Sequence, residues 1–326
     1  MGDSRIVTTW SRELARFPSA ETDVYYLEEY LRLYEYQGFS AECFVYEEAD
    51  GASFIFPYLR ALEGHSEETH DATTAYGYGG PIACPSDEAF CARGWEAMLD
   101  SLGASGMRTA FIRFHPLLAN HVVAPEWVDA RFVREVVAID LTPSIDDIWT
   151  KQLDSNSRNM VRKAETNNLD FVVDHDFEYL DEFVDMYRET MTSLDADAVY
   201  LFDDAYFRRF PETLRDVSAL CVVTKDHSVV AGALFLCNGP YAHYHLSGSR
   251  RNALSLRPND LLVYRAALAF RDRGERLLLL GGGRTSAPDD GLFAFKRRFA
   301  NLSYGFYTAE ISFPSFPTRR EQSRVP

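Results

Sequence analysis

A lysine among aromatic residues near the end of the chain is the strongest chemical feature of this sequence. It lies in Leu277–Phe299, LLLLGGGRTSAPDDGLFAFKRRF, where an apolar run precedes three glycines, a polar loop, and then Phe295 and Lys296. A short apolar run bounded by glycine is typical of a buried strand, and glycines at a strand end let a substrate or another backbone come close. Lys296 could hold a positive charge against a reacting group. The alternative is an ordinary strand, surface loop and amphipathic helix.

Basic residues form three local groups in the second half of the chain. The groups are Arg158, Arg162 and Lys163; Arg250, Arg251 and Arg257; and Arg297 with Arg298. Arginine donates two parallel hydrogen bonds to a phosphate, so these groups could bind a nucleotide-linked acceptor or RNA. A solvated basic face beside acidic neighbours is the alternative.

Other catalytic chemistries have less support. His243 and His245 alternate on a predicted strand and would share a face, but the sequence places no third ligand nearby. Hydrogen-bonded or packed histidines are the alternative that we favour. There is no GxSxG motif, and no cysteine has a recognisable partner pattern for nucleophilic catalysis. We therefore expect no metal and no cofactor, and nucleophilic catalysis has little support.

Length and composition indicate a globular protein of two domains. The chain has 326 residues, of which 46% are hydrophobic, enough for a substantial core in each domain. No stretch reaches the about 18 uninterrupted apolar residues of a membrane helix, and the start, MGDSRIVTTWSREL, has no signal-peptide pattern. The five cysteines lack CxxC spacing and are typical of reduced thiols. We expect a cytoplasmic monomer without a membrane span.

Charge is distributed unevenly along the chain. The net charge is -16, and residues 1–145 alone hold 23 acidic residues against 10 arginines and no lysine. This acidic first half would repel a nucleic-acid backbone. The second half is nearly balanced, so an RNA would have to bind there.

The predicted elements fall into two series of similar order. The first series has a helix over 23–36, a hairpin of 41–47 and 52–59, a helix over 88–102, and strands over 109–114 and 133–141. The second has a helical region over 145–167, a strand over 169–174, helices over 180–194, 205–217 and 258–273, a hairpin of 219–224 and 229–237, and strands over 241–246, 277–280 and 305–311. This order predicts two copies of one mixed α/β unit. Residues 318–326 are expected to form a disordered tail.

Six stretches together resemble the FemABX family. They are YGYGGP at 76–81, FIRFHPL at 111–117, SRNMVRKAETNNL at 157–169, HYHLSGS at 243–249, LGGG at 280–283 and DGLFAFKRRF at 290–299. Members of this family carry amino acids from aminoacyl-tRNA onto a peptide amine. The resemblance runs over residues 23–312 and implies two tandem GNAT-like domains, with the C-terminal end returning to the first. The coiled-coil arm of some members has no room here.

The resemblance also implies how the domains divide the work. Residues 1–143, completed by a strand within about 305–326, would form the acceptor-side domain, and 144–304 the donor-side, catalytic domain. Phe295 and Lys296 match the family's Phe-Lys pair, which is assigned to the reacting ester. A cation there would stabilise the negative charge that builds on the carbonyl oxygen when an amine attacks.

Further residues are candidates for substrate binding. Arg158, Arg162 and Arg257 would meet the phosphates of a tRNA or of a nucleotide-linked acceptor. Tyr76 and Tyr78 would line the acceptor cleft, Tyr244 would lie on the substrate side, and Gly282 would clear space at the strand end. His115 stands where several relatives have an acidic residue before proline, and a histidine there changes the charge beside the incoming amine.

The sequence thus favours an aminoacyltransferase that uses aminoacyl-tRNA as donor. Its acceptor would be an amine on a peptidoglycan precursor or on a specialised metabolite. An acyl-CoA-dependent N-acyltransferase of the GNAT superfamily is the alternative, although SGSRRNALSLRPNDLL lacks the Q/R-x-x-G-x-G/A spacing that holds the CoA pyrophosphate. A non-catalytic scaffold is a third interpretation, which an altered Phe-Lys pair would have favoured.

Overall fold

The structure, a computed structural model, describes residues 2–62, 70–197, 200–285, 287 and 289–313. They divide into two compact units, the first within Met1–Val133 and Gly305–Pro326 and the second within Arg134–Tyr304. Each unit has its own hydrophobic core. The predicted tail over 318–326 lies outside the described residues.

Strands and helices alternate along both units. The strands are β1 (Asp3–Val7), β2 (Phe39–Glu47), β3 (Ser53–Ala61), β4 (Ala72–Thr73), β5 (Ile82–Cys84), β6 (Thr109–Arg113), β7 (Arg131–Asp140), β8 (Asp170–Asp174), β9 (Ser218–Lys225), β10 (Ser228–Asn238), β11 (Tyr241–Ser249), β12 (Leu277–Gly281) and β13 (Leu302–Ser312). The helices are α1 (Ser11–Leu14), α2 (Glu28–Leu31), α3 (Glu88–Ala104), α4 (Ile145–Asp147), α5 (Ser155–Thr166), α6 (Leu180–Ser193), α7 (Asp204–Thr213), α8 (Pro258–Arg273) and α9 (Gly291–Arg297). The predicted mixed α/β fold is confirmed.

The sheet of the first unit has the strand order β1-β2-β3-β4-β6-β13, and β5 also pairs with β3. Neighbouring strands are antiparallel, except that β4 and β6 are parallel. The predicted hairpin is formed by β2 and β3, and Gly51 takes a left-handed φ of 93° at its turn. Helix α3 begins where the Asp87 side chain accepts the Phe90 N–H, and it packs Trp95 edge-on against Phe54.

The predicted helix over 23–36 is broken into three short pieces. Val24–Tyr26 and Arg32–Gln37 are 3-10 segments on either side of α2. Leu27 is extended at the first break, with ψ of 140°. Just beyond it, the Glu28 carboxylate accepts the main-chain N–H groups of Trp10 and Ser11. Tertiary hydrogen bonds therefore override a helical hydrophobic pattern here.

The sheet of the second unit has the strand order β7-β12-β11-β10-β9-β8, with only β11 and β12 parallel among these pairs. The predicted hairpin is formed by β9 and β10, and Asp226 and His227 both take positive φ at its tip, 49° and 66°. Helix α5 packs against α8, and α6 packs against β10 and β11.

Strand β11 is longer than predicted. The predicted strand covers 241–246, but Ser247, Gly248 and Ser249 continue it. A Cβ at Gly248 would lie 2.9 Å from the Cα of Tyr187 in α6. Glycine is therefore needed here because a helix backbone passes close to the strand.

None of the described helices is long and apolar enough to cross a lipid bilayer.

Candidate active site

Lys296 is a buried lysine near the end of α9. This helix begins at Asp290, whose carboxylate accepts the Phe293 N–H at 2.8 Å. Lys296 is only 8% exposed, and its Nζ donates to the Gly282 carbonyl oxygen at 2.9 Å. Nζ also lies 5.7 Å from the centre of the Tyr244 ring. The structure thus brings together Lys296, Gly282 and Tyr244, three residues predicted to contribute to the site.

The surroundings of Lys296 weaken its hold on the proton. Burial lowers the pKa of Lys296 to about 8, while the Asp290 carboxylate acts to raise it and the Arg134 guanidinium acts to lower it. The amine is therefore mostly an ammonium at pH 7. A buried cation of this kind is poised to interact strongly with a negative charge that develops beside it.

Two of the three glycines, Gly282 and Gly283, make room for side chains of the protein itself. A Cβ at Gly282 would lie 2.9 Å from Arg134 Cδ, and one at Gly283 would lie 2.4 Å from Asp290 Oδ1. Arg134 Nη1 donates to the Gly283 carbonyl oxygen at 2.8 Å. We call Arg134, Tyr244, Gly282, Asp290 and Lys296 the Lys296 cluster.

Two members of the Lys296 cluster were missed in the sequence. Asp290 begins α9, and an aspartate three residues before the aromatic Phe293 could have been recognised as a helix cap. Arg134 lies on β7, and no local pattern points from that strand to the glycine turn.

Methionine in place of Lys296 is expected to increase stability at pH 7 by about 2 kcal/mol, after the loss of the hydrogen bond to Gly282. The wild-type lysine has a pKa of about 8 when folded against an ordinary 10.5. Between these values the unfolded chain binds more protons, so wild-type stability rises with pH and the penalty fades. Urea unfolding should therefore show the advantage of Lys296→Met in full below pH 8 and a shrinking advantage towards pH 10.5. Lys163→Met, at an exposed lysine, is the control. A difference in unfolding free energy between Lys296→Met and the wild type that stays constant with pH would contradict the lowered pKa of Lys296.

Phe295 lies on the same helix but its ring packs into the core of the second unit. The ring is 5.3 Å from that of Phe299, and the Arg298 guanidinium lies 5.4 Å above it. Successive side chains on a helix point about 100° apart, so this ring and the Lys296 stem diverge. The predicted contact of Phe295 with the reacting ester stays a prediction.

His115 forms a buried pair with Asp23 in the first unit. Neither side chain is exposed, and His115 Nε2 lies 2.8 Å from Asp23 Oδ2. His115 Nδ1 accepts the Leu118 N–H at 3.2 Å, so the ring proton is on Nε2 and is donated to the carboxylate. His115 is thus a histidine in contact with a carboxylate from elsewhere in the sequence.

Asn120 ties this pair to the predicted YGYGGP turn. Its Oδ1 accepts the His115 main-chain N–H at 2.8 Å, and its Nδ2 donates to the carbonyls of Gly79 and Pro81 at 2.8 and 3.0 Å. Tyr26 also donates to the Gly79 carbonyl, at 3.0 Å, and burial raises the pKa of this phenol well above its ordinary value. Sequence patterns had not indicated Asn120, and they had marked Asp23 only as a helix start.

Tyr78 belongs to this group, and Tyr76 borders it. The Tyr78 ring lies 5.7 Å from the ring of His115 and 5.4 Å from that of Tyr25. The main-chain carbonyl of Tyr76 accepts the Tyr30 hydroxyl at 2.6 Å. We call Asp23, Tyr26, Tyr78, His115 and Asn120 the His115 cluster. A role of Tyr76 and Tyr78 in binding an acceptor stays a prediction.

The predicted phosphate-binding arginines lie in different settings. Arg158 is half-buried, and its Nη1 donates to the Leu153 carbonyl in the segment before α5. Arg162 is exposed, with its guanidinium 5.1 Å above the Trp149 ring. Arg257 is exposed and takes a left-handed φ of 67° just before α8. Because α5 packs on α8, Arg162 and Arg257 are carried by neighbouring elements of one unit.

His245 of β11 has a structural partner in the second unit. His245 Nε2 lies 2.7 Å from the Tyr206 hydroxyl, and burial lowers the pKa of His245 to about 3. His245 is therefore neutral at pH 7 and engaged in packing. His243 is buried on the same strand.

The start of α8 is poorly suited to a pyrophosphate. Its first residue, Pro258, has no N–H to donate. Asp260 places a carboxyl group in the first turn, 3.6 Å from Arg298 and only 3% exposed. Burial raises the pKa of this carboxyl, while Arg298 and Arg257 act to lower it. This helix end therefore has fewer N–H groups for an external anion, and the Asp260 carboxyl group already lies beside them.

Comparison with known families relates the second unit to one class of domain. Residues 151–297 match the sequence model of the acetyltransferase (GNAT) domain. The match includes α5 to α9 and Lys296, so this part of the chain is similar to acyltransferase domains of the GNAT class.

Solved structures show the same fold over nearly the whole chain. FemX superposes with a TM-score of 0.70 at 14% identity, covering 93% of this chain and 96% of FemX. The C-terminal domain of a putative lysylphosphatidylglycerol synthetase from Agrobacterium fabrum gives 0.58 at 18%, covering 95% and 91%. A tandem GNAT protein from the clavulanic acid biosynthesis pathway gives 0.54 at 9%, covering 98% and 100%. No curated protein matches the sequence significantly. The chain therefore has the FemABX-like tandem GNAT fold, as its motifs predicted.

Proposed function

We propose that this acyltransferase transfers an aminoacyl group from aminoacyl-tRNA to an amine acceptor, with formation of an amide bond. The observation that carries the proposal is the buried Lys296 ammonium at the glycine turn. Its burial is expected to cost folding free energy, which makes a purely structural role for the charge a poor explanation.

In the proposed reaction the acceptor amine attacks the ester carbonyl carbon of the donor. The new C–N bond forms while the carbonyl oxygen takes up negative charge, and the Lys296 ammonium stabilises that oxygen. Collapse breaks the ester C–O bond, and the proton lost by the attacking nitrogen is balanced by the one gained by the departing ribose oxygen. An ammonium has three N–H donors, and one is used on Gly282.

The two units would hold different substrates. We assign the donor to the second unit, which carries Lys296 and the exposed Arg162 and Arg257, and the acceptor to the first unit with its His115 cluster. The resemblance to the FemABX family implies an amine on a nucleotide-linked peptide, such as a peptidoglycan precursor. The likeness to a protein of clavulanic acid biosynthesis supports instead a small amine of a specialised pathway.

An acyl-CoA donor is the second candidate, favoured by the match to the acetyltransferase domain. The start of α8 argues against it. Pro258 removes one of the main-chain donors that would hold a pyrophosphate, and Asp260 adds a carboxyl group at the same helix end.

Parallel assays with charged tRNAs and acyl-CoAs, each offered with mixed amine acceptors, test the donor. Transfer from tRNA is expected to weaken steeply with added salt, because each phosphate contact releases counterions. The variants Arg162→Gln and Arg257→Gln should each remove about one phosphate contact. The slope of log affinity against log salt concentration should fall by about one in each variant. Arg12→Gln, an exposed arginine of the first unit, is the control. A flat salt response, or turnover with acyl-CoA alone, would replace tRNA by a small donor.

A further inference from the structure

Two side chains of opposite charge act electrostatically on the Lys296 amine from different elements of the second unit. Arg134 approaches from β7, and Asp290 from the turn that precedes α9. Both also touch the glycine turn, since each occupies the space that a Cβ at Gly282 or Gly283 would need.

Arg134 directs its charge at the turn. Its Nη1 donates to the Gly283 carbonyl at 2.8 Å, one residue from the carbonyl that Lys296 holds at 2.9 Å. The Arg134 Nε is buried without a hydrogen-bond partner. Within the described residues, no carboxylate forms an ion pair with the Arg134 guanidinium. Arg134 and Lys296 are therefore hydrogen-bonded to the carbonyls of adjacent residues. The positive charge of Arg134 repels the Lys296 ammonium and lowers its pKa.

Asp290 supplies the opposing charge and orders the loop between the strand and the helix. One carboxylate oxygen accepts the Phe293 N–H at 2.8 Å, and the other accepts the Thr285 N–H at 2.9 Å. These hydrogen bonds lower the pKa of Asp290 although its partial burial acts to raise it. The carboxylate is therefore charged at pH 7.

The remaining groups around the amine are neutral or paired elsewhere. Tyr244 faces it from β11, and burial raises the pKa of Tyr244 to about 12, so the phenol keeps its proton. Arg297, the next residue on α9, is paired with Glu135. Besides burial, the described charges that act on Lys296 are thus one negative neighbour, Asp290, and one positive neighbour, Arg134.

We propose that Arg134 and Asp290 are positioning residues for Lys296, holding the glycine turn and the start of α9 while balancing the charge around the amine. The proposal rests on the role of Lys296 given above. Burial, which the Asp290 carboxylate opposes and the repulsion from Arg134 reinforces, leaves the ammonium under-stabilised until a new negative charge appears. Its interaction with that charge is therefore strongest in the transition state.

The chain is well suited to a direct test because it has only four lysines, Lys151, Lys163, Lys225 and Lys296. Lysine labelled with 13C at the ε carbon should give four NMR signals, and Lys296→Met identifies one of them. The Lys296 titration midpoint is expected to rise in Arg134→Gln, to fall in Asp290→Asn, and to stay near the wild-type value in Arg134→Lys, which keeps the charge. Arg131→Gln, an exposed arginine of the same strand, should leave it unchanged.

Kinetics add a second measurement. Arg134→Gln should lower kcat and kcat/KM by the same factor, as expected when an interaction made in the transition state is lost. If Arg134→Gln does not fold, Arg134→Met keeps the apolar stem across Gly282. The proposal would be overturned if the Lys296 titration midpoint stayed at the wild-type value both in the folded Arg134 variant and in Asp290→Asn. Shifted midpoints without any transfer from tRNA would support it and refute the proposed donor instead.

Discussion

Replacing Lys296 by methionine is expected to slow aminoacyl transfer by about 10²–10³-fold, the usual effect of removing one donor to a developing oxyanion. Methionine keeps the unbranched stem beneath the Tyr244 ring and removes only the charged donor. The rate is best measured in single turnovers with a charged tRNA, so that product release does not mask the chemical step.

Lys151→Met is the matched control for this experiment, because Lys151 is exposed and lies outside the predicted phosphate-binding groups. It should retain wild-type chemistry. Since Lys296→Met is also expected to be more stable than the wild type at pH 7, loss of activity cannot be ascribed to unfolding. A Lys296→Met protein with wild-type single-turnover rates would remove this residue from the mechanism.

Replacing His115 by leucine is expected to destabilise the protein by about 3 kcal/mol, because it takes a hydrogen-bond donor from a fully buried carboxylate. The Asp23 oxygen concerned lies 2.8 Å from the histidine ring, and neither side chain is exposed. Urea unfolding at pH 7 measures the loss, with the exposed His175→Leu as control. That control should stay within about 0.5 kcal/mol of the wild type.

A double-mutant cycle separates the pair from general packing. Asp23→Asn removes the charge, so His115→Leu should cost much less in that background than in the wild type. Additive effects of the two changes would mean that the contact between them contributes little, and the His115 cluster would then be held by Asn120 and the tyrosines.

Local sequence patterns predicted the structure best where a segment carries its own helix-end or turn residues. Helix α8 has the predicted bounds, because Pro258 starts it and Gly274 ends it with a left-handed φ of 106°. The two hairpins followed from their turn residues. The segment 23–36 broke into pieces because Glu28 is needed by Trp10 and Ser11, and β11 continued because Gly248 admits the backbone of α6.

The sequence by itself determined the tandem fold and the buried strand, glycine turn and lysine that define the candidate site. The strand, the glycine turn and the lysine are local features, since their residues lie within about two dozen positions and their spacing is visible in one stretch. Tertiary structure alone decided which groups surround them. Arg134 meets Gly283 from 149 positions away, and Asp23 meets His115 from 92. No local pattern encodes such contacts, because strand order and chain reversal choose which distant side chains share a buried space, and in that space their charges interact strongly.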